Sequence, residues 1–464
     1  MDKKLGKGIL VILFANVLNL IFNLLTNFIL PKYLSIDSYS AIKTYQLYVN
    51  FVGLLSLGYI DGMYLQYGGR ELKDIDKSEL RTGLNTIRIF MAVESIILLI
   101  ISLLIGDKTI FAFVLTIISL NMSGYYKNLF QAVGEFKKYG RVMNFTTGLT
   151  FAVNILLIFL FKSDDYFIYL LCYVGVNTFI WLCLEYIARK SIRSVKKAKF
   201  FSLPLFISNI KSGILLMIGN FSSILLTSMD RWFVKFLMNA LQFAQYSFAV
   251  SLEGFLNAAT TPITITMYNF FCRKKNVKTV ISARKVILIF ASLIISMAFP
   301  AKFVVEVYLQ NYTDSLQVLF LLFGAQIFFI PNKAIYVNLY KANRKQKLYF
   351  IKLMTVIICG AILNAVFVHF LYTKEAFAYA TLLSSFIWIC FSYFDFKEYK
   401  VQIKELIYVF LELLVYILAG FFLNAVIGFI VFILFTVVMA FLFFKSEIIA
   451  LLQSFRSKKA VSKQ

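Results

Sequence analysis

Apolar residues run through this chain in long blocks separated by short, mostly basic stretches. The blocks predict fourteen membrane-spanning helices, near 8–34, 43–66, 86–105, 110–133, 141–161, 166–188, 209–236, 242–270, 284–301, 315–340, 351–372, 376–395, 405–424 and 426–444. The first block follows Lys3, Lys4 and Lys7 and continues from Gly8 to Leu34 with no small-residue cleavage site, so it reads as an uncleaved helix rather than a signal peptide.

Polar residues inside the blocks fall on faces. On the first predicted helix, Asn16, Asn19, Asn23, Thr26 and Asn27 lie within an arc of about 100°. The seventh repeats that spacing 204 residues later with Asn220, Ser223, Thr227, Asp230 and Arg231, and the eighth places Tyr246, Glu253, Asn257, Thr260 and Thr264 within about 60° of arc. Such residues join helices by hydrogen bonds in many membrane bundles. A face of amides, hydroxyls and a few charges also suits a hydrated cavity for a hydroxyl-rich ligand such as a sugar, and its repetition favours the cavity.

The repetition extends to whole motifs. Asn128-Leu129-Phe130-Gln131-Ala132, with Lys137 and Tyr139, returns 210 residues later as Asn338-Leu339-Tyr340-Lys341-Ala342, with Lys347 and Tyr349, and Asn154 returns as Asn364. An even number of helices separates the copies, so the repeats are parallel, related by an axis along the membrane normal. The expected organisation is a six-helix lobe at 1–200, a second at 201–397, and a C-terminal hairpin with a basic tail at 398–464.

Composition agrees with an all-α polytopic membrane protein. Sixty per cent of residues are hydrophobic and the mean hydropathy is +0.80, which leaves little chain for an aqueous domain. The formal charge of +24 would suit nucleic acid if it were clustered. Instead it is sorted by side. With the N-terminus inside, the outward connections hold only Lys32, Lys43, Lys108, Lys162, Arg231, Lys235, Lys302 and Lys374, Lys333 lies within a helix, and the remaining 38 of 47 basic residues lie inside. This is the positive-inside pattern, with both termini cytoplasmic and no nucleic-acid partner.

Chemistry-bearing residues are few. Asp61, Glu94, Asp230, Glu253, Lys333 and Glu412 fall in or near predicted spans, where each costs about 2.5–3.5 kcal/mol at mid-depth and is expected to face protein or water. Pro262, Pro331, Gly53, Gly58 and Gly62 interrupt helices and are candidate hinges. The five cysteines show no CxxC spacing, His369 is the one histidine, and no GxxxxGK[ST] occurs, so neither a metal site nor a cofactor is expected. No outward connection is long enough for the extramembrane site of a glycosyltransferase or polymerase.

With topology, repeat and polar faces in view, the chain resembles the Wzx-like polysaccharide-biosynthesis flippases of the multidrug/oligosaccharidyl-lipid/polysaccharide (MOP) exporter superfamily. The resemblance rests on Gly8-Ile9-Leu10 through Asn16, Tyr33-Leu34-Ser35-Ile36-Asp37-Ser38-Tyr39, Leu57-Gly58-Tyr59-Ile60-Asp61-Gly62, and Asp230-Arg231 with Tyr246-Ser247, and it spans about the first twelve helices. Ser40 departs from the glycine frequent there, and the hairpin after Lys397 is extra. The resemblance implies a bacterial plasma (inner) membrane protein. It would carry an undecaprenyl-pyrophosphate-linked oligosaccharide, for O-antigen, capsule or exopolysaccharide, to the outer leaflet through a V-shaped cavity between two lobes, by alternating access.

On that reading Arg231 is the first candidate to hold the pyrophosphate, with Lys43 and Lys333 behind it. Asn16, Asn19, Asn23, Asn27, Asn220, Thr227 and Asn257 would line the sugar path, and Asp61, Glu253 or Asp230 would bind a coupling cation. Membrane lipids and polysaccharide polymerase machinery are the implied partners. A multidrug/cation antiporter of the same superfamily and a lipid II flippase are the rival readings.

Overall fold

The computed structural model describes residues 3–192, 198–273 and 276–461. It is all-helical, with no strand among the described residues. Two compact units emerge, Met1–Ser228 and Met229–Gln464. The first contains α1 (Lys3–Tyr33), α2 (Ile36–Val49), α3 (Tyr59–Tyr67), α4 (Lys77–Ile105), α5 (Lys108–Ala132), α6 (Phe136–Ile155), α7 (Tyr166–Ile192) and most of α8 (Leu203–Leu237). The second takes the last turns of α8, then α9 (Ala240–Glu253), α10 (Leu256–Arg273), α11 (Val277–Ile295), α12 (Ala298–Tyr308), α13 (Leu316–Pro331), α14 (Val337–Ala342), α15 (Gln346–Leu371), α16 (Lys374–Asp395), α17 (Ile403–Phe422) and α18 (Ala425–Val461).

Eleven described stretches are long and apolar enough to cross a membrane, against the fourteen predicted. Two predicted spans are broken by backbone conformation that hydropathy does not register. The span 43–66 divides into α2 and α3 around a 3-10 turn at Val52–Ser56, followed by Leu57 at φ 49° and Gly58 at φ 82°. The span 242–270 divides at Gly254 and Phe255, so Tyr246 and Glu253 lie on α9 while Asn257, Thr260 and Thr264 lie on α10; the single arc expected for these five is interrupted. At Pro331, which lacks an N–H, α13 passes into a π-helical turn, Asn332–Tyr336, before α14.

The internal repeat is visible in backbone geometry. At the end of α5, Val133 N–H donates to Leu129 O (3.0 Å), Glu135 N–H to Phe130 O (2.8 Å), and Gly134 is left-handed at φ 73°. At the end of α14, 210 residues on, Asn343 N–H donates to Leu339 O (2.9 Å), Lys345 N–H to Tyr340 O (2.8 Å), and Arg344 is left-handed at φ 56°. The repeated asparagines also act alike, Asn128 Nδ2 donating to Gly124 O (3.1 Å) and Asn338 Nδ2 to Ala334 O (2.9 Å). The backbone bonds close the last helical turn in both copies, and the asparagine bonds reach one turn back in both.

Each unit packs around buried tyrosines, Tyr59, Tyr125 and Tyr126 in the first and Tyr336 and Tyr340 in the second. Each also clamps an arginine beside one of them. Arg88 donates Nε to Glu185 Oε1 (2.9 Å) and Nη2 to the Tyr126 hydroxyl (3.4 Å). Arg284 donates Nη1 to the Tyr336 hydroxyl (3.4 Å), but its carboxylate partner is Glu405 of α17, through Nε–Oε2 at 2.6 Å and Nη2–Oε1 at 3.0 Å. The hairpin is thus fastened by a fork-to-fork pair of which 3% and 2% of the side chains remain exposed. At the other end of α17, buried Lys302 donates to the carbonyls of Gly420 (2.8 Å) and Leu423 (2.7 Å), satisfying acceptors the helix end leaves over.

Candidate functional site

Membrane-buried charge in the second unit gathers where α8 ends. Asp230 is buried, accepting from the Tyr246 hydroxyl at Oδ2 (2.5 Å) and from the Arg231 backbone N–H at Oδ1 (2.8 Å). Glu253, at the last residue of α9, accepts from Gln326 Nε2 of α13. Arg231, Asp230 and Lys333 all lie within electrostatic reach of Glu253, and the Lys333 ammonium stands 5.3 Å from the Phe329 ring. Four ionisable groups therefore lie near one another, two basic and two acidic, with Asp230 buried and the other three half-buried. The positive charges of Arg231 and Lys333 are offset by carboxylates unless a proton, a cation or an anionic ligand changes the balance.

The first unit carries two further polar constellations. Lys43, buried on α2, donates its ammonium to Asn27 Oδ1 (2.7 Å) and Gln46 Oε1 (3.2 Å) and lies 5.2 Å from the Tyr39 ring. Asn27 in turn gives its NH2 to Asn23 O (2.9 Å), so this pair ties α2 to α1. Asn19 is buried, Asn23 is exposed, and the side chain of Asn16 lies outside the described ones.

Asp61 on α3 accepts from Asn220 Nδ2 on α8 (3.1 Å). Beside this pair lies a cavity of about 240 Å³ whose polar lining is Asn50, Ser56, Asp61, Asn121, Asn128 and Asn220. Elsewhere along the same helices, α3 and α8 touch backbone to backbone: a Cβ on Gly213 would stand 2.1 Å from Gly58 O and 2.2 Å from Gly62 N. Two of the expected hinge glycines thus serve close approach.

Among the remaining candidates, Thr227 and Asn257 are exposed, and Thr227 donates to Ser223 O (3.3 Å) and Ile224 O (3.2 Å) of its own helix. Sequence periodicity did not single out Gln326, Gln46, Asn50, Asn121 or Asn128 as site residues. Gln326 lies deep in the apolar run Leu316–Pro331, whose other polar residue, Gln317, is at its start, and that position was the available signal.

No protein-family model matches this chain, and no curated protein matches it. Solved structures match its fold. It is similar to the lipid II flippase MurJ in an inward closed conformation, with a TM-score of 0.63 and 13% identity, covering 95% of this chain and 99% of that one. It is also similar to an inward-facing multidrug resistance MATE family transporter of the MOP superfamily, with a TM-score of 0.54 and 13% identity over 83% and 95% of the two chains. The multidrug transporter DinF-BH, with a TM-score of 0.54 and 15% identity, is covered to 97% and covers 87% of this chain. The structural neighbours are thus MOP superfamily transporters, and the fold expectation of a multi-pass helical membrane protein holds.

Proposed function

We propose that this protein is a Wzx-like flippase that moves an undecaprenyl-pyrophosphate-linked oligosaccharide from the cytoplasmic to the outer leaflet by alternating access of lobes 1–200 and 201–397, with 398–464 an accessory hairpin. The observation that favours a flippase of lipid-linked glycan over a drug exporter is coverage: the MurJ-like arrangement accounts for 95% of the chain, whereas the MATE-like ones account for 83% and 87%. The four-charge cluster supports it. Asp230 and Glu253 lie near Arg231 and Lys333 and oppose their charge, so neutralising Glu253 with a proton or cation would leave more positive charge for a pyrophosphate. Cation entry and anion binding are then coupled through shared partners. The membrane potential assists, since an anion leaving a negative interior gains about 2.3 kcal/mol per charge per 100 mV.

Loss of the gene should make the source cell accumulate a lipid-linked glycan on the cytoplasmic leaflet and lose the matching surface polysaccharide. A wild-type surface glycan with no accumulated intermediate would remove the proposal.

The orientation, with both termini cytoplasmic in a bacterial plasma membrane, rests on the sorting of basic residues. On a cysteine-free background, Ser163→Cys and Asn311→Cys should react with an impermeant maleimide in intact cells, while Ile192→Cys and Lys458→Cys should be protected. Labelling of Lys458→Cys from outside would reverse the topology.

A further inference from the structure

The break between α2 and α3 is not required by hydropathy, and it is not neutral. Irregular backbone at membrane depth persists only where protein buries it or where it lines a watered cavity. Here Leu57, a residue with a full side chain, is held at φ 49°, a strain of the kind that clusters at ligand sites. The turn it closes forms one wall of the 240 Å³ cavity in the first unit.

The lining has a particular hydrogen-bonding character. Asn121 gives its NH2 to Val52 O (3.3 Å) and Ile117 O (3.1 Å), and Asn128 gives one N–H to Gly124 O (3.1 Å). Their Oδ1 atoms accept no hydrogen bond among the described residues, and the Asp61 carboxylate adds a third acceptor. Phe51 and Phe221, packed edge to face at 5.8 Å between centroids, supply apolar walls. Acceptors grouped against aromatic faces match a ligand that donates from several hydroxyls and offers C–H faces between them. The volume is just below the ~300 Å³ at which drug-sized pockets begin, room for a single ring and generous for one dehydrated ion.

We infer that this cavity is a subsite for one sugar ring, with Asp61, Asn121 and Asn128 accepting its hydroxyl protons. The inference rests on the flippase reading and assigns to Asp61 a sugar-binding role in place of ion coupling.

Gly53 offers the test, because a Cβ there meets nothing within 4 Å. With the five native cysteines replaced by alanine, Gly53→Cys in the purified full chain should react with a water-soluble maleimide. Free glucose, galactose, rhamnose and N-acetylglucosamine at about 0.2 M are the probes, with equal NaCl, KCl and glycerol as comparisons. At least one sugar should slow labelling by about fivefold, the factor 1 + [L]/Kd for a Kd of about 50 mM, and the salts should not. Adding Asp61→Asn or Asn128→Leu should remove that protection while the protein stays monodisperse.

Protection by NaCl or KCl alone would make this a cation site and overturn the inference. Equal reactivity with every sugar, or no reactivity of Gly53→Cys at all, would also overturn it. Flipping of lipid-linked oligosaccharide is measured separately in liposomes, so a chain that flips its substrate yet shows no sugar protection loses the subsite alone.

Discussion

Arg231→Gln should abolish complementation of a flippase-null strain while the protein still accumulates in the membrane. Removing one partner of a desolvated charge contact typically costs about 2–5 kcal/mol, roughly thirtyfold or more in affinity for an anion held there. Arg231→Lys keeps the charge and loses the planar fork, so it should recover part of the activity. Glu253→Gln imitates the neutral carboxyl and should leave downhill movement measurable while flattening its dependence on an imposed ion or proton gradient. Lys235→Gln is the control. That side chain stands 5.3 Å from the Phe243 ring on α9, can reach the outer interface by the proposed topology, and should be nearly silent when replaced. Normal transport by Arg231→Gln at normal abundance would move the anion site elsewhere and strengthen the drug-antiporter reading.

Glu405→Gln should produce the largest loss of stability. Arg284 is 3% exposed and also donates to Tyr399 O (2.7 Å) and Lys400 O (2.8 Å), so it cannot turn to water when its carboxylate is neutralised. Leaving such a charge buried and unpaired costs about 3–5 kcal/mol. The expected result is a fall in the midpoint of heat-induced loss of monodispersity in detergent by on the order of 5 °C or more. Arg284→Met combined with Glu405→Leu removes both charges and should recover most of that fall, because exchanging a buried pair for apolar residues is often neutral or better. A Glu405→Gln protein as heat-resistant as the parent would mean that the Arg284–Glu405 pair does not hold the hairpin, leaving its other contacts, such as Lys302 on the Gly420 and Leu423 carbonyls, to do so.

How much of this was legible in sequence follows the range of the forces involved. The multi-pass helical character depends on composition over about twenty residues, which a sequence displays directly, and eleven of the described stretches have it. The repeated asparagine motif at 128 and 338 proved to mark two copies of one helix-ending turn, because that turn is made by bonds only a few residues apart. The breaks at Leu57–Gly58 and Gly254–Phe255 were not legible, since a hydropathy average is indifferent both to a left-handed φ, as at Leu57 and Gly58, and to a shift to i→i−3 bonds, as from Phe255 N–H to Leu252 O and Asn257 N–H to Gly254 O.

Pairings over long separations were hidden for a different reason. Arg284 meets Glu405 across 121 residues, and Asn220 meets Asp61 across 159. Lys43 read as a basic residue near a helix end, whereas packing of α1 on α2 brings Asn27 to it beside Gln46 of its own helix. Its ammonium is occupied there, which makes Arg231 and Lys333 the stronger candidates for an anion.

The most direct measurement is leaflet exchange in liposomes containing the purified protein and an undecaprenyl-pyrophosphate-linked oligosaccharide labelled on one face, read by an impermeant glycosidase or lectin. The proposal requires the protected pool to become accessible with the wild-type chain, and Arg231→Gln liposomes to stay near the protein-free rate. Wild-type liposomes that leave the glycolipid in place while exporting a cationic drug against an imposed proton gradient would contradict the flippase reading and identify an antiporter.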